Sequence, residues 1–451
     1  MRSGSRILLL GALVSAGCAR RQPPVILITV DSLRADHLGA YGSRLGATPT
    51  LDFLCSESQR FSAAFAPASM TVPALSSLMT SSYPEELGVQ DGWSALGDQA
   101  PTLAAWLAGN GYRTAAVVSN FAIRRASGLD RGFERYDDTL RTDAARGAPE
   151  RNARQTTRVA LRMVDQLAAD GRPFFLWVHY QDPHGPYLPP EQLRRRFLSR
   201  VAEAPDSGRR LKAARDQSGD GVIPGYQYLA GHHDPAFYRA GYAGAVAYVD
   251  DWIGKLITGL AERQLFERSY VIVLADHGES LGEDDYWFSH GDRITRPLVQ
   301  VPLLVRGPGL KPGRRDDTAS LLDVFPSLAG LLRLAPPAGL RGRDLFAAGA
   351  PRGESTVYIM VPRSSAAPEY GLAAHGYRYV LWPHPGAPQE RLFRHDDDSQ
   401  DVNQAHPEVV RAMRDELARA RSSLRRASAS PRKLSPEDAA AMRALGYVDA
   451  P

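Results

Sequence analysis

Carboxylates and imidazoles gather at three places in the chain, each directly after an apolar run. Asp31 follows Val25-Ile26-Leu27-Ile28-Thr29-Val30, and Asp276-His277-Gly278-Glu279 follows Tyr270–Ala275. His179, Asp182 and His184 sit at the end of the run Pro173–His179, in WVHYQDPHGPYLPP. Acidic oxygens with neutral imidazole nitrogens are the donor set of a divalent metal, and the nitrogen favours zinc- or manganese-like ions over calcium. An Asp-His pair alone carries little information. Its position at the end of a buried strand carries much more. Plainer roles compete at each position. Asp31 could cap the next helix, and His184 could shape the turn at Gly185-Pro186. His179 and Asp182 read equally well as satisfied polar groups beneath a site. His232-His233-Asp234 falls in a polar stretch and reads as solvated loop.

Such residues need a scaffold that brings strand ends together. Val25–Val30 is an unbroken apolar, β-branched run, the texture of a strand buried on both faces in a parallel sheet. The texture recurs at Thr114–Ser119, Pro173–His179, Tyr270–Ala275 and Pro302–Val305. Between these lie helical patterns at Thr102–Gly109, closed by Asn110-Gly111, and at Ala243–Leu260 and Leu321–Leu334. Strand–helix alternation predicts a doubly wound α/β domain whose site lies off the carboxyl ends of the strands. Residues 139–158 and 191–236 are polar and weakly periodic and read as surface insertions. Beyond about 345, Thr356–Val361, Tyr377–Trp382 and Glu390–Arg394 suggest a small antiparallel sheet, followed by a helix around Pro407–Ser422. The last thirty residues read as a peripheral tail.

The chain has 451 residues, 43% hydrophobic and 23% charged, which excludes a wholly disordered protein. Two cysteines exclude a disulfide scaffold or a cysteine-built zinc domain. The net charge is +4, and only Lys212, Lys255, Lys311 and Lys433 among 54 basic residues are lysines. The arginines are scattered without a basic stripe, so no nucleic-acid partner is expected. Arg2 and Arg6 precede the apolar run Ile7–Val14 and then Ser15-Ala16-Gly17-Cys18. This is the pattern of an export signal, too short to span a bilayer. Cys18 is placed as in a bacterial lipobox, which implies an exported protein lipid-anchored in the cell envelope, at the periplasmic face or cell surface. Cys55 then has no intrachain partner and reads as a packed helix residue.

Ordered landmarks along some 400 residues resemble the sulfatases of the alkaline phosphatase superfamily. They run from ITVDSLRADHLGAYG and TPTLDFLCSESQRFSAAFAPASMTVPALSSLMTSSYP through GYRTAAVVSN and FLWVHYQDPHGPYLPP to YAGAVAYVDDWIGKLITGL. VIVLADHGESLGE, FSHGDRITRPLVQVPLLVRGPG, LLDVFPSLAGLL and LSPEDAAAMRALGYV follow in family order. The resemblance implies an alkaline phosphatase/sulfatase-like, mostly parallel sheet with helices on both faces, plus a small C-terminal α+β subdomain. The division expected is a lipoprotein-type signal at 1–18, a tether at 19–24, the catalytic domain at 25–344, the subdomain at 345–425 and the tail at 426–451.

The nucleophile stretch departs from the family. Its signature is Cys or Ser, any residue, Pro, Ser, Arg, with the first residue oxidised to formylglycine. Here the stretch reads Thr71-Val72-Pro73-Ala74-Leu75. Threonine is a secondary alcohol and cannot give the aldehyde, so no formylglycine is expected. Ser32 stands where many sulfatases have a second metal-binding aspartate and His277 where many have asparagine. Leu87 stands where histidine is frequent, and no lysine near the motifs matches those that clamp sulfate. Together Asp31, Thr71, Asp276 and His277 resemble the single-metal arrangement of relatives that use threonine, such as phosphoglycerol and phosphoethanolamine transferases. The resemblance implies one divalent ion (manganese, zinc, magnesium or calcium) held by these four residues, with Thr71 as nucleophile. His184 and His290 match histidines that face the transferred group. For Thr71 the plainer role is a cap on the helix Pro73–Met79. The expected substrate is a small-molecule or envelope-polymer ester, phosphate preferred because of Thr71. The rivals are a conventional sulfatase and a non-catalytic sulfatase-like envelope lipoprotein. The losses at Ala74, Leu75 and Ser32 suit the latter, and the retention of Asp31, Asp276 and His277 argues against it.

Overall fold

The computed structural model describes residues 22–98, 100–142, 147–201, 208–214, 219–348, 356–363, 366–382, 388–428 and 432–447. The expected export signal and Cys18 lie outside them. The principal strands are β1 (Val25–Val30), β2 (Gln59–Phe65), β3 (Arg113–Val117), β4 (Arg135–Asp137), β5 (Phe174–Tyr180), β6 (Tyr270–Ala275), β7 (Gln300–Arg306) and β8 (Gly313–Ser320). They form one sheet in the order β8-β2-β7-β6-β1-β5-β3-β4. β1 lies at its heart, parallel to β6 and β5, and every residue of all three strands is buried. That explains their uninterrupted apolar sequences, since neither face meets water. β7, which contains the expected Pro302–Val305 strand, is antiparallel to both of its neighbours. The remaining pairings are parallel, so the sheet is mostly parallel as expected.

The helices begin with α1 (Pro49–Ser56), α2 (Thr71–Thr80), α3 (Leu103–Gly109) and α4 (Ala153–Ala168), and continue with α5 (Glu191–Val201), α6 (Pro235–Glu262) and α7 (Val324–Leu332). α1, α4 and α5 pack on the long α6, while α2 packs on α3 and α7. Thr102 caps α3 through its side chain, as a threonine before an apolar turn should. Cys55 is buried in α1. The described part of 139–158 is only partly the surface insertion its polarity suggested: Thr139, Arg141 and Thr142 are exposed, but from Ala148 onward the chain is largely covered. It runs into α4, and Arg151 is buried with Nη2 on Asp137 at 2.6 Å while Thr156 and Thr157 are covered. The arginine charge is neutralised by a carboxylate, which the composition of the stretch could not reveal.

A second sheet follows: β9 (Val357–Arg363), β10 (Ala366–Ala374), β11 (Tyr377–Trp382) and β12 (Gln389–Arg394), antiparallel throughout. α8 (Pro407–Ser423) lays Val410, Met413 and Leu417 against Tyr358, Leu372 and Tyr379 of this sheet. The last helix, α9 (Pro436–Ala444), belongs to neither sheet. It is not peripheral: Met442, Leu445 and Tyr447 join the main apolar core. No described helix is long and apolar enough to cross a membrane.

Candidate active site

Register builds the site. Val30 of β1 is level with Tyr180 of β5 and Ala275 of β6, so the next residues on β1 and β6, Asp31 and Asp276, emerge side by side at the carboxyl end of the sheet. With His277 they form a fully buried group whose ligand atoms all lie within 4.8 Å of one another. Among the described residues no other three His, Cys, Asp or Glu converge in this way.

Each member is held in place by neighbouring groups, and one oxygen of Asp276 is left without a partner. Asp31 does not cap a helix: Oδ2 accepts from Asn120 Nδ2 at 2.7 Å and Oδ1 from Ser32 Oγ at 3.0 Å. Asp276 Oδ1 accepts from the backbone N–H groups of Ser32 (3.2 Å) and His277 (2.9 Å), while its buried Oδ2 has no partner. His277 Nδ1 lies 2.8 Å from the Gly278 carbonyl. Only an N–H can be donated there, so Nε2 carries a lone pair, and it faces Asp31 Oδ1 at 3.6 Å and Asp276 Oδ2 at 3.7 Å. Two carboxylates and an imidazole lone pair fit a divalent cation, and a buried oxygen without a partner is costly unless a cation or proton meets it. Ser32, at the position of the second aspartate, adopts a left-handed backbone (φ 57°) and hydrogen-bonds Asp31.

The electrostatics show the same demand. Burial raises both carboxyls, but the imidazoles of His184, His179 and His277 outweigh it at Asp31 and hold that group well below the usual range. Asp276 is pushed well above it, first by burial and then by the charge of Asp31. Two adjacent buried carboxylates cannot both ionise without a positive charge between them. Burial also lowers the imidazoles, His277 to about 3 and His290 to about 4, which keeps their nitrogens neutral and able to ligate.

Thr71 is the first residue of α2, whose N-cap position is Met70 and carries no side-chain cap. Its hydroxyl is therefore not a helix cap. Oγ1 lies 3.1 Å from His277 Nε2, 3.5 Å from Asp31 Oδ1 and 3.0 Å from the Tyr447 hydroxyl. Ala74 and Leu75, which replace the signature's serine and arginine, are fully buried among apolar groups and supply no polar contact.

Two more histidines stand close by. The His290 ring is 4.5 Å from that of His277 and 5.1 Å from that of His184. His184 Nδ1 meets the Gly185 carbonyl at 2.8 Å, as a turn-shaping histidine would, yet its buried Nε2 has no partner. His290 Nδ1 is held at 3.1 Å by Glu279, a buried carboxyl that desolvation pushes up to about 7. His179 lies deeper, with Nδ1 2.8 Å from Thr29 Oγ1 and Nε2 3.5 Å from Asp31 Oδ2. Trp177 Nε1 donates to the same Thr29 hydroxyl at 2.9 Å, which fixes its orientation. Asp182 is elsewhere engaged: Oδ2 accepts from Ala153 N at 2.7 Å, at the start of α4. Asp234 caps α6 and His233 Nδ1 meets Leu211 O, so that trio is structural. Leu87 is buried and apolar.

Asn120 and Tyr447 escape the motif reading, and Glu279 appears in it without its partner. Asn120 braces Asp31 and sits three residues beyond β3, where a polar strand-end residue could have been flagged. Glu279 lies within the Asp-His-Gly-Glu run, but nothing local reveals that it reaches His290. Tyr447 is separated from Thr71 by 376 residues, and no local pattern could place it.

A mostly parallel sheet with a buried acid–imidazole cluster at its carboxyl edge, facing a hydroxyl at a helix start, is an arrangement suited to ester cleavage beside a divalent ion. The family profile for sulfatases matches residues 23–334, and the chain belongs to that family. It is 24% identical to iduronate 2-sulfatase of Homo sapiens over 84% of this chain and 90% of that protein. It is likewise 24% identical to choline-sulfatase of Rhizobium meliloti (strain 1021), over 69% of this chain and 67% of that one. Among solved structures, phosphonate monoester hydrolase of Agrobacterium radiobacter superposes with a TM-score of 0.69 at 21% identity, covering 89% of this chain and 96% of that one. This last likeness is one of fold. The protein is a sulfatase-family ester hydrolase, and metal dependence is a property of the family.

Proposed function

We propose that this protein cleaves phosphate esters through Thr71, with one divalent ion held by Asp31, Asp276, His277 and Thr71 itself. The observation that carries the reading is the 3.1 Å contact between Thr71 Oγ1 and His277 Nε2, with Asp31 Oδ1 at 3.5 Å. It sets the alcohol on the same acids and imidazole that suit a cation. When bound, that ion lowers the hydroxyl pKa and screens charge growing on the ester oxygens. Thr71 Oγ gives up its proton to solvent and forms a bond to phosphorus as the bond to the leaving oxygen breaks, giving a phosphothreonine. Water or an acceptor alcohol resolves it. His290, backed by Glu279, whose raised carboxyl can supply a proton to Nδ1 as the ring gives one up from Nε2, is suited to pass a proton to the leaving oxygen, and His184 Nε2, an acceptor, to take one from the incoming water. Sulfate esters are the second reading, favoured by the relatives that are sulfatases. Thr71 argues against the formylglycine route to them.

We also propose that the protein is exported and lipid-anchored through Cys18, acting on a small-molecule or envelope ester. The test is a soluble form lacking the first 23 residues, supplied with manganese or zinc. Bis-nitrophenyl phosphate, nitrophenyl phosphate and nitrophenyl sulfate are compared. Phosphodiester turnover abolished by Thr71→Ala supports the proposal. Sulfate turnover that survives the same change defeats it. No metal uptake and no turnover favours a binding protein.

A further inference from the structure

Thr71, Asp31, Asp276 and His277 are all fully buried, so no ester can reach them in this conformation. Tyr447 is a large part of the reason. Its hydroxyl lies 3.0 Å from Thr71 Oγ1 and 3.1 Å from Asn120 Nδ2, and its ring stacks with that of His184 at 6.4 Å. The directions of these bonds follow from the chemistry. Asn120 Nδ2 can only donate, so the phenol accepts from it and gives its own proton to Thr71. Thr71 in turn gives its proton to the His277 Nε2 lone pair. One lone pair of the threonine oxygen, needed for bonding to an ester, is thus covered by the phenol.

The seat for Tyr447 is shaped to it. At Gly92 a Cβ would lie 2.3 Å from Tyr447 Cδ1, so only glycine leaves room for the ring. Gly446 has φ +83°, and a Cβ there would lie 2.7 Å from the Tyr226 ring. The segment that carries the tyrosine is short, and Met442 and Leu445 anchor it in the apolar core. α9 is nine residues long, with a part-exposed Arg124–Asp438 ion pair at 2.6 Å. Before it, Arg432 bonds the Trp93 and Ser94 carbonyls at 3.0 Å each. The other groups touching Thr71 stand at the ends of central strands. Tyr447 is the contact whose withdrawal disturbs the sheet least.

We infer that residues 432–447 are a strap that shuts the site, with Tyr447 as its seal, and that an ester gains Thr71 only when this strap lifts. The inference deepens the proposed reaction by naming what controls access to it, but its test is independent of that chemistry. Thr71→Cys in the full chain, with Cys18→Ser, is reacted with methyl methanethiosulfonate. The same is done after adding Tyr447→Ala or, from the opposite side of the seat, Gly92→Ala. Buried Cys55, whose thiol desolvation pushes up to about 12, stays inert in folded protein and reports any unfolding. The thiol introduced by Thr71→Cys is expected to react slowly when Tyr447 and Gly92 are intact and about tenfold faster when the seal is removed, since apparent reactivity scales with the open fraction. Acceleration of about threefold or more in either folded variant supports the strap, and a smaller change in both overturns it. An introduced thiol that already reacts like free cysteine with the seal intact overturns it as well. If Thr71→Ala still turns over esters while the introduced thiol becomes accessible as described, the strap stands and the nucleophile falls.

Discussion

Thr71 Oγ1 and His277 Nε2 lie 3.1 Å apart, although one begins a helix and the other follows a central strand 206 positions later. The imidazole nitrogen in this pair is an acceptor because Nδ1 is engaged with Gly278 O at 2.8 Å. The hydroxyl is thus oriented by a group that also suits a cation. Thr71→Val keeps the shape of the side chain and removes the hydroxyl. It should lower kcat/KM for the best ester by about a thousandfold or more, whereas Thr71→Ser stays within about tenfold. Steady-state kinetics on both variants decide this.

Asp276 Oδ2 is buried without a partner, and Asp276 is pushed well above the carboxylate range by burial and by Asp31. A bound dication replaces the proton that burial otherwise demands. Manganese at about 100 times its Kd should stabilise the parent by about 2.7 kcal/mol. Asp276→Asn should lose most of that gain. Thermal unfolding with and without EDTA reads the difference, and an Asn variant that responds like the parent contradicts the ligand assignment.

Glu279 fixes His290 through its Nδ1 at 3.1 Å. Replacing its carboxyl with Glu279→Gln should lower kcat by about 10- to 100-fold, the usual cost of losing a carboxyl partner behind a working histidine. Metal affinity should change much less. Calorimetric metal titration beside the kinetics separates the two effects.

Away from the site, Asp250 of α6 accepts from the backbone N–H groups of Leu51 (2.8 Å) and Thr50 (3.0 Å), capping α1 from a neighbouring helix. Burial raises its pKa to about 6. A carboxyl raised on folding stabilises most below its unfolded value, near 4, and that contribution is lost as pH rises through about 6. The stability advantage of the parent over Asp250→Asn should therefore shrink by about 2–3 kcal/mol between pH 4 and pH 7.5. Urea unfolding at the two pH values measures it.

The central strands were legible because β1, β5 and β6 are covered on both faces and must be apolar throughout. Their ends then exposed Asp31, Asp276 and His277 to simple reading. β2 and β8 were not legible. QRFSAAF mixes covered and half-covered positions, and the GRRDDTAS edge strand is exposed over most of its first half. The antiparallel course of β7 was hidden as well, since an apolar run has no direction. Thr71 and His290 came from the family resemblance, which also gave a role to His184, already marked by its place at a strand end. Asn120, Glu279 and Tyr447 act through contacts across the fold, and only tertiary structure brings them in.

The most direct measurement is acid quenching of the manganese-loaded protein during turnover of a phosphodiester, followed by peptide mapping by mass spectrometry. Phosphothreonine is acid-stable, and the account predicts a phosphoryl group, with the ester's remaining substituent if it is retained, on the peptide containing Thr71. Steady turnover with Thr71 unmodified at every quench time, and undiminished in Thr71→Ala, would contradict it.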